Sequence, residues 1–265
     1  LRVRPTLYID HVRLDPDAGQ KKVLVRVCLA GKTDSADGEL LLQAENSDGA
    51  PVGKAVRLTA EKGNQELRAE VDLGDQVRLW SAETPDLYRM RVTLNTPQGA
   101  DEQIVSFGFR DFRAQGTRFE INGRPVFLRG TLECCVFPLT GYPAMDKDYW
   151  KKIYGKCKEY GLNHVRFHSW CPPEAAFSVA DSMGLYLQVE CGAWAEVGSG
   201  LPQDEWIRQE GDRILKEYGN HPSFCLMAYG NEPSGNRQAD YLGKLVNYWK
   251  QTDGRRVYTS AAGWP

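Results

Sequence analysis

The side chains that could do chemistry sit in one kind of place. Glu133, Glu190 and Glu232 each close or follow a short apolar run, in RPVFLRGTLE, LYLQVE and FCLMAYGNE. His168 ends another, NHVRFH, with Arg166 two positions before it, and Asn231 directly precedes Glu232. A carboxyl group at the end of a strand, partly out of water, can give a proton to a leaving oxygen and later take one from water. A neighbouring amide can hold a hydroxyl of the reacting molecule, and an arginine can fix a carboxylate. Glu232 is therefore the candidate general acid/base. Asn231, Arg166, His168 and Glu190 are candidates for substrate contact, and Trp264 follows a further strand-like run, RRVYTSAAG. Glu133 and Trp194 fall on comparable loops. Each has an ordinary alternative: a surface Asn-Glu-Pro turn, a structural ion pair for Arg166, a satisfied core histidine, a packed tryptophan.

The elements that must position these groups show strict alternation after about residue 118. RPVFLRG (124–130) reads as a strand. MDKDYWKKIYGKCKEYG (145–161) has apolar residues near a 3.6 period and Gly161 placed to end a helix. LNHVRFH is a strand, and PEAAFSVADSMG (173–184) a helix opened by Pro and closed by Gly. LYLQVE, PSFCLMAYGNE and RRVYTSAAG are strands, separated by the helical stretches QDEWIRQEGDRILKEYGN and NRQADYLGKLVNYWKQTDG. Such alternation predicts a parallel sheet with right-handed crossovers. A doubly wound dinucleotide fold would want G-x-G-x-x-G after its first strand, and RGTLECCVF lacks it. A closed barrel instead gathers chemistry at the carboxyl ends of its strands, where these residues lie.

Residues 1 to about 112 have another rhythm. KKVLVRVCLA alternates strictly, with Val23, Val25 and Val27 on one face, and GELLLQAEN, VGKAVRLTA, QELRAEVDL and LYRMRVTLN follow suit. Asp37-Gly38, Asp48-Gly49, Gly63-Asn64 and Gln98-Gly99 break the runs. Short strands at this spacing predict an antiparallel sandwich.

Charge adds exclusions. Lys and Arg number 33 against 35 Asp and Glu, so the clustered basic excess of a nucleic-acid binder is missing. No apolar run approaches the 18 residues of a membrane span. The seven cysteines form no C-x-x-C pair, which suggests neither a zinc site nor a disulfide framework; several sit in apolar runs and read as buried thiols. With seven Trp and twelve Tyr, the ordinary role of any one ring is core packing; the sharper one is stacking on the apolar face of a sugar. The compartment stays open between cytoplasmic and periplasmic or secreted.

Five segments together carry a family resemblance. Leu79-Trp80-Ser81-Ala82-Glu83-Thr84-Pro85-Asp86-Leu87-Tyr88 resembles a signature of the sandwich domain of glycoside hydrolase family 2, with Ala82 where the pattern usually has Pro. Val105–Phe112 is similar to the last sandwich strand of that family, and Phe119–Gly130 to its hairpin and first barrel strand. Asn163–His168 resembles the end of the second barrel strand. His221-Pro222-Ser223 through Gly230-Asn231-Glu232 resembles the segment that carries the acid/base. The resemblance implies an immunoglobulin-like β-sandwich at 1–113 and the N-terminal part of a (β/α)8 TIM barrel at 114–265.

The implied activity is retaining exo-β-glycosidase chemistry of β-galactosidase type on terminal sugars of O-glycosides. Glu232 would be the general acid/base, Asn231 would hold the sugar 2-hydroxyl, and Arg166 would match an arginine that supports the nucleophile. The nucleophile glutamate of the family follows a seventh strand, past Pro265, and a sugar-binding sandwich precedes the segment resembled by RPTLYIDHVRLDPD. On that expectation the chain is an internal piece, inactive alone, whose partners are a carbohydrate and the rest of its parent chain, with a homo-oligomer left open. Family members can carry Mg²⁺ or Na⁺, but no ligand set transfers to residues here. Asn-Glu-Pro at 231–233 and His-Ser-Trp-Cys-Pro-Pro at 168–173 depart from common β-galactosidase patterns, which leaves the sugar open. A cellulase- or mannanase-type barrel and a non-catalytic carbohydrate-binding or scaffold module are the alternatives.

Overall fold

A computed structural model describes residues 3–34 and 37–262. Two compact units divide the chain: residues 1–80 with 86–110, and residues 81–85 with 111–265.

The first unit contains β1 (Leu7–Asp17), β2 (Lys22–Gly31), β3 (Gly38–Glu45), β4 (Pro51–Ala60), β5 (Glu66–Asp72), β6 (Tyr88–Thr96) and β7 (Gly99–Phe107). They form two antiparallel sheets, ordered β1-β2-β5 and β4-β3-β6-β7. The alternation does what a period of two requires: Val23, Val25 and Val27 from one sheet and Leu40, Leu42, Met90, Val92 and Leu94 from the other share one core. Burying each such side chain contributes roughly 1.5–3 kcal/mol. The pairing of β1 shifts register between Ile9 and His11. There Asp101 accepts the Ile9 N–H at 2.8 Å, and Gln103 donates to the Ile9 carbonyl at 2.7 Å. Side chains of β7 thus satisfy backbone groups that an irregular strand would otherwise leave unpaired.

The second unit opens with a small antiparallel sheet, β8 (Phe112–Gln115), β9 (Arg118–Ile121) and β10 (Arg124–Val126). Asn122 and Gly123 both have positive φ, 52° and 76°, as a tight Asn-Gly hairpin turn demands. Parallel β/α units follow: β11 (Gly130–Glu133), α1 (Lys147–Glu159), β12 (His164–Phe167), α2 (Glu174–Met183), β13 (Tyr186–Glu190), α3 (Pro202–Tyr218), β14 (Phe224–Ala228), α4 (Gln238–Thr252) and β15 (Val257–Thr259). The five strands pair in chain order. Helix ends follow local chemistry. Asp146 accepts the Tyr149 N–H to start α1, Gly161 follows its end at φ 73°, and Gly184 in the left-handed region stops α2.

One expectation is corrected here. RPVFLRG is not a single strand: Arg124–Val126 is the far arm of the hairpin, and the first parallel strand is Gly130–Glu133. Asn163 explains the break. Its side chain accepts the Arg129 N–H at 2.8 Å and donates to the Phe127 carbonyl at 3.1 Å, so these backbone groups need no ladder partner. Glu133 accordingly ends that strand rather than following it.

Strand alternation sorts the side chains of the parallel sheet. Val165, Phe167, Leu187 and Val189 join residues from all four helices in one apolar core. Arg166, Gln188 and Glu190, out of phase with them, fall on the opposite face, and Arg166 and Gln188 are register partners.

Candidate active site

That opposite face holds a charged network. Glu190 is fully buried at the end of β13. Arg166 on β12 donates through Nε to Glu190 Oε1 at 2.6 Å, and its Nη2 reaches Glu190 Oε2 at 3.4 Å. Gln188 Nε2 adds a bond to Oε1 at 3.0 Å, and Ser169 Oγ one to Oε2 at 2.6 Å. A buried carboxylate needs such partners, because taking a lone charge out of water costs far more than any single hydrogen bond returns. The same Arg166 Nη2 donates to Asn231 Oδ1 at 2.7 Å. This contact assigns the amide oxygen to the arginine and leaves both Nδ2 hydrogens for a partner outside the network.

Asn231 is buried, while the next residue, Glu232, is exposed. Glu232 has φ 39°, an uncommon conformation for a residue with a Cβ. Its carboxylate makes no hydrogen bond or ion pair among the described residues. The backbone around it is held on two sides. Asn231 N–H donates to the Ala193 carbonyl at 2.9 Å, and Glu232 N–H to the Ala262 carbonyl at 3.1 Å. Ala195 is doubly bonded to the Tyr229 hydroxyl, accepting from it and donating to it at 2.9 Å, and its carbonyl also accepts the Ser234 N–H at 3.2 Å. Gly230 permits this approach, since a Cβ there would lie 2.0 Å from the Ala193 oxygen. The loop after β13 is thereby stitched to the end of β14, and Trp194 is carried between the two pinned alanines.

His168 directly follows β12, and its ring meets Trp194 edge-to-face, with centroids 5.5 Å apart. Glu133 is half-buried. Burial raises its pKa, opposed by the Cys135 N–H that its Oε2 accepts at 3.1 Å. Its carbonyl takes the His168 N–H at 2.9 Å and the Trp170 indole N–H at 3.2 Å, so it serves the loop's geometry.

The structure therefore joins Arg166, Glu190 and Asn231 directly, sets Glu232 next to Asn231 in the chain, and gives the His168 side chain a ring contact with Trp194. Trp264 lies outside the described residues. Ser169 and Gln188 escaped the sequence reading. Gln188 could have been found from strand phase, two positions before Glu190 on the same face. Ser169, in a loop, gave no such signal. All seven cysteines are free; Cys157, Cys191 and Cys225 are buried thiols, as read for several of them, whereas Cys134 and Cys135 are exposed. The reason is their place in the open loop just past β11. Among the described residues no three His, Cys, Asp or Glu gather as metal ligands, so none is assigned to Mg²⁺ or Na⁺. No described helix is long and apolar enough to cross a membrane.

Comparison with known proteins bears on this geometry. The family model for glycosyl hydrolases family 2 matches residues 7–110. A β-galactosidase of Enterobacter cloacae is 26% identical over 262 residues, covering 93% of this chain and 25% of that protein. Residues 7–110 thus resemble family 2 glycosyl hydrolases, and most of the chain resembles part of larger β-galactosidases. A putative β-glucuronidase of Formosa agariphila is 29% identical over 71% of this chain and 18% of its own length. The fold matches the crystal structure of Parabacteroides merdae β-glucuronidase with a TM-score of 0.81 at 19% identity, over 96% of this chain and 33% of that one. The chain thus spans about a quarter of the length of the curated β-galactosidases it matches. The family model falls on the first unit, whereas the polar network lies wholly in the second.

Proposed function

We propose that this chain supplies the acid/base half of a retaining exo-β-glycosidase site, acting on terminal β-linked sugars of O-glycosides. In this reading residues 1–113 are an immunoglobulin-like sandwich and 114–265 the first five strands of a (β/α)8 barrel. The shared core of strands and all four helices, with polar residues on the other strand face, supports a barrel over a doubly wound sheet, which covers both faces with helices. The observation that carries the function is the presentation of Glu232. An exposed carboxylate follows an asparagine whose amide is oriented by a buried arginine–glutamate pair, at the carboxyl end of a parallel strand. Glu232 protonates the leaving oxygen in the first step and deprotonates water in the second, while Asn231 Nδ2 binds a sugar hydroxyl. Arg166 and Glu190 act by positioning Asn231. Double displacement also needs a nucleophilic carboxylate about 5 Å from the acid/base. Glu190 is consumed by Arg166, Ser169 and Gln188, so the nucleophile is assigned to none of the described residues and is taken to come from elsewhere in the parent enzyme.

The test is a leaving-group series in the parent enzyme. Glu232→Gln should lower kcat/KM by about 10²–10⁴-fold for alkyl glycosides, which need protonation, and far less for 2,4-dinitrophenyl glycosides, which do not. Equal losses across the series, or none, would remove Glu232 from that role.

A further inference from the structure

We propose that Trp194 is the platform on which the leaving-group side of the substrate stacks, making it a specificity-determining residue; this rests on the acid/base reading of Glu232. The tryptophans divide sharply by environment. Trp80, Trp150 and Trp249 are fully buried and serve the cores, whereas Trp194 is 63% exposed. Exposure alone says little, since Trp206 on α3 is also partly exposed. Trp194 differs in that its neighbours in the chain are hydrogen-bonded to the segment that carries Glu232. Its two chain neighbours are the alanines pinned to the Glu232 segment: the Ala193 carbonyl to the Asn231 N–H at 2.9 Å, and Ala195 to the Tyr229 hydroxyl and the Ser234 N–H. The His168 ring meets Trp194 at 71°, which fixes the indole without stacking over it and leaves ring surface in water.

A preorganised, uncovered indole gives an apolar face at little ordering cost, the property that makes such rings binding anchors. Depth decides what it meets. Asn231, held over the buried Arg166–Glu190 pair, forms a buried polar floor whose amide hydrogens suit a hydroxyl of the terminal sugar. Trp194 stands at the exposed rim of the same strand ends, where the departing group faces solvent. The ligand class is therefore a β-glycoside whose leaving group carries a flat apolar face, either a second pyranose or an aryl ring.

The experiment compares substrates that share a sugar and differ in the leaving group: 4-nitrophenyl β-D-galactoside and β-D-glucuronide against the corresponding β-D-glycosyl fluorides, with the parent enzyme. Trp194→Ala should lower kcat/KM for the aryl glycoside about tenfold, the value of one good ring contact, and leave the fluoride unchanged. Trp194→Phe should recover most of the loss. Equal loss on both substrates, or no loss on either, overturns the platform. Quenching of tryptophan fluorescence by the nitrophenyl glycosides scores binding without turnover: it should persist in Glu232→Gln and vanish in Trp194→Ala. Quenching that survives in Trp194→Ala overturns the platform whatever the kinetics. Quenching as expected, with hydrolysis unaffected by Glu232→Gln, supports the platform and sinks the acid/base reading instead.

Discussion

Glu232 adopts a left-handed backbone that costs a residue with a Cβ about 1–2 kcal/mol and costs glycine nothing. Such strain persists where surrounding contacts over-determine it, and here the Ala193 and Ala262 carbonyls hold the chain on either side. Removing the side chain separates strain from chemistry. Glu232→Gly should be more stable than Glu232→Ala by about 1 kcal/mol in urea unfolding, although both remove the carboxylate. Equal stabilities would mean that the position is unstrained. At this scale the sequence was legible where strand phase governs. Arg166, Glu190 and Asn231 were all candidates, and the structure joins them in one network. It was silent on Ser169, because a hydroxyl in a loop has no periodicity to betray its partner.

Among the elements, the segment His221-Pro222-Ser223 shows why a motif that reads as part of a catalytic signature is structural in its own right. His221 bridges Asp181 at 2.6 Å and Glu174 at 2.9 Å, both on α2, and Asp181 also accepts the Ser223 N–H at 3.0 Å. The cluster fastens α2 to the approach of β14. Burial by itself would depress the His221 pKa, but the charge and hydrogen bond of Asp181, with help from Glu174, raise it to about 10. Glu174 moves the other way: burial would raise it, and His221 draws it down. Because the histidine pKa is raised on folding, its contribution is complete below its unfolded value near 6.5 and fades as pH climbs toward 10. The glutamate contribution is present above its unfolded value near 4.5 and fades below it. His221→Gln should therefore cost about 3 kcal/mol near pH 6 and clearly less near pH 10, measured by urea unfolding at the two pH values. A cost independent of pH would show that the ring acts by packing on Phe177 alone. Most element types were readable from period and caps. Two runs were misplaced: 105–112 is split between β7 and β8, and at 124–130 an asparagine side chain far along the sequence intercepts the backbone of a run with ordinary strand composition.

For the molecule as a whole, the sandwich rhythm of the first unit and the β/α alternation of the second were both visible from residue order, whereas the composition of the exposed surface was not. After β10 the chain exposes Phe127, Leu132 within β11, and then Val136, Leu139 and Met145, and an open apolar basin of about 650 Å³ lies along residues 136–149. Contiguous apolar surface of this kind drives association. The 265 residues alone should self-associate with concentration in sedimentation velocity, and Val136→Asp with Leu139→Asp should weaken that association. They should also turn over no 4-nitrophenyl β-glycoside. A monomer with activity would contradict both statements and make Glu133 and Glu190 the first nucleophiles to test. The stretch Ser81–Pro85, counted with the second unit, carries a different lesson. Ala82 stands where the signature it resembles usually has proline, and its buried N–H donates to the Tyr186 hydroxyl at 3.2 Å. A prolyl nitrogen has no hydrogen to place. Tyr186→Phe should thus cost about 1–2 kcal/mol here and much less in an Ala82→Pro background, a coupling that a double-mutant cycle measures directly. The two positions are thus energetically linked: a prolyl ring at 82 would release position 186 from its phenol, whereas the alanine there makes the chain depend on it.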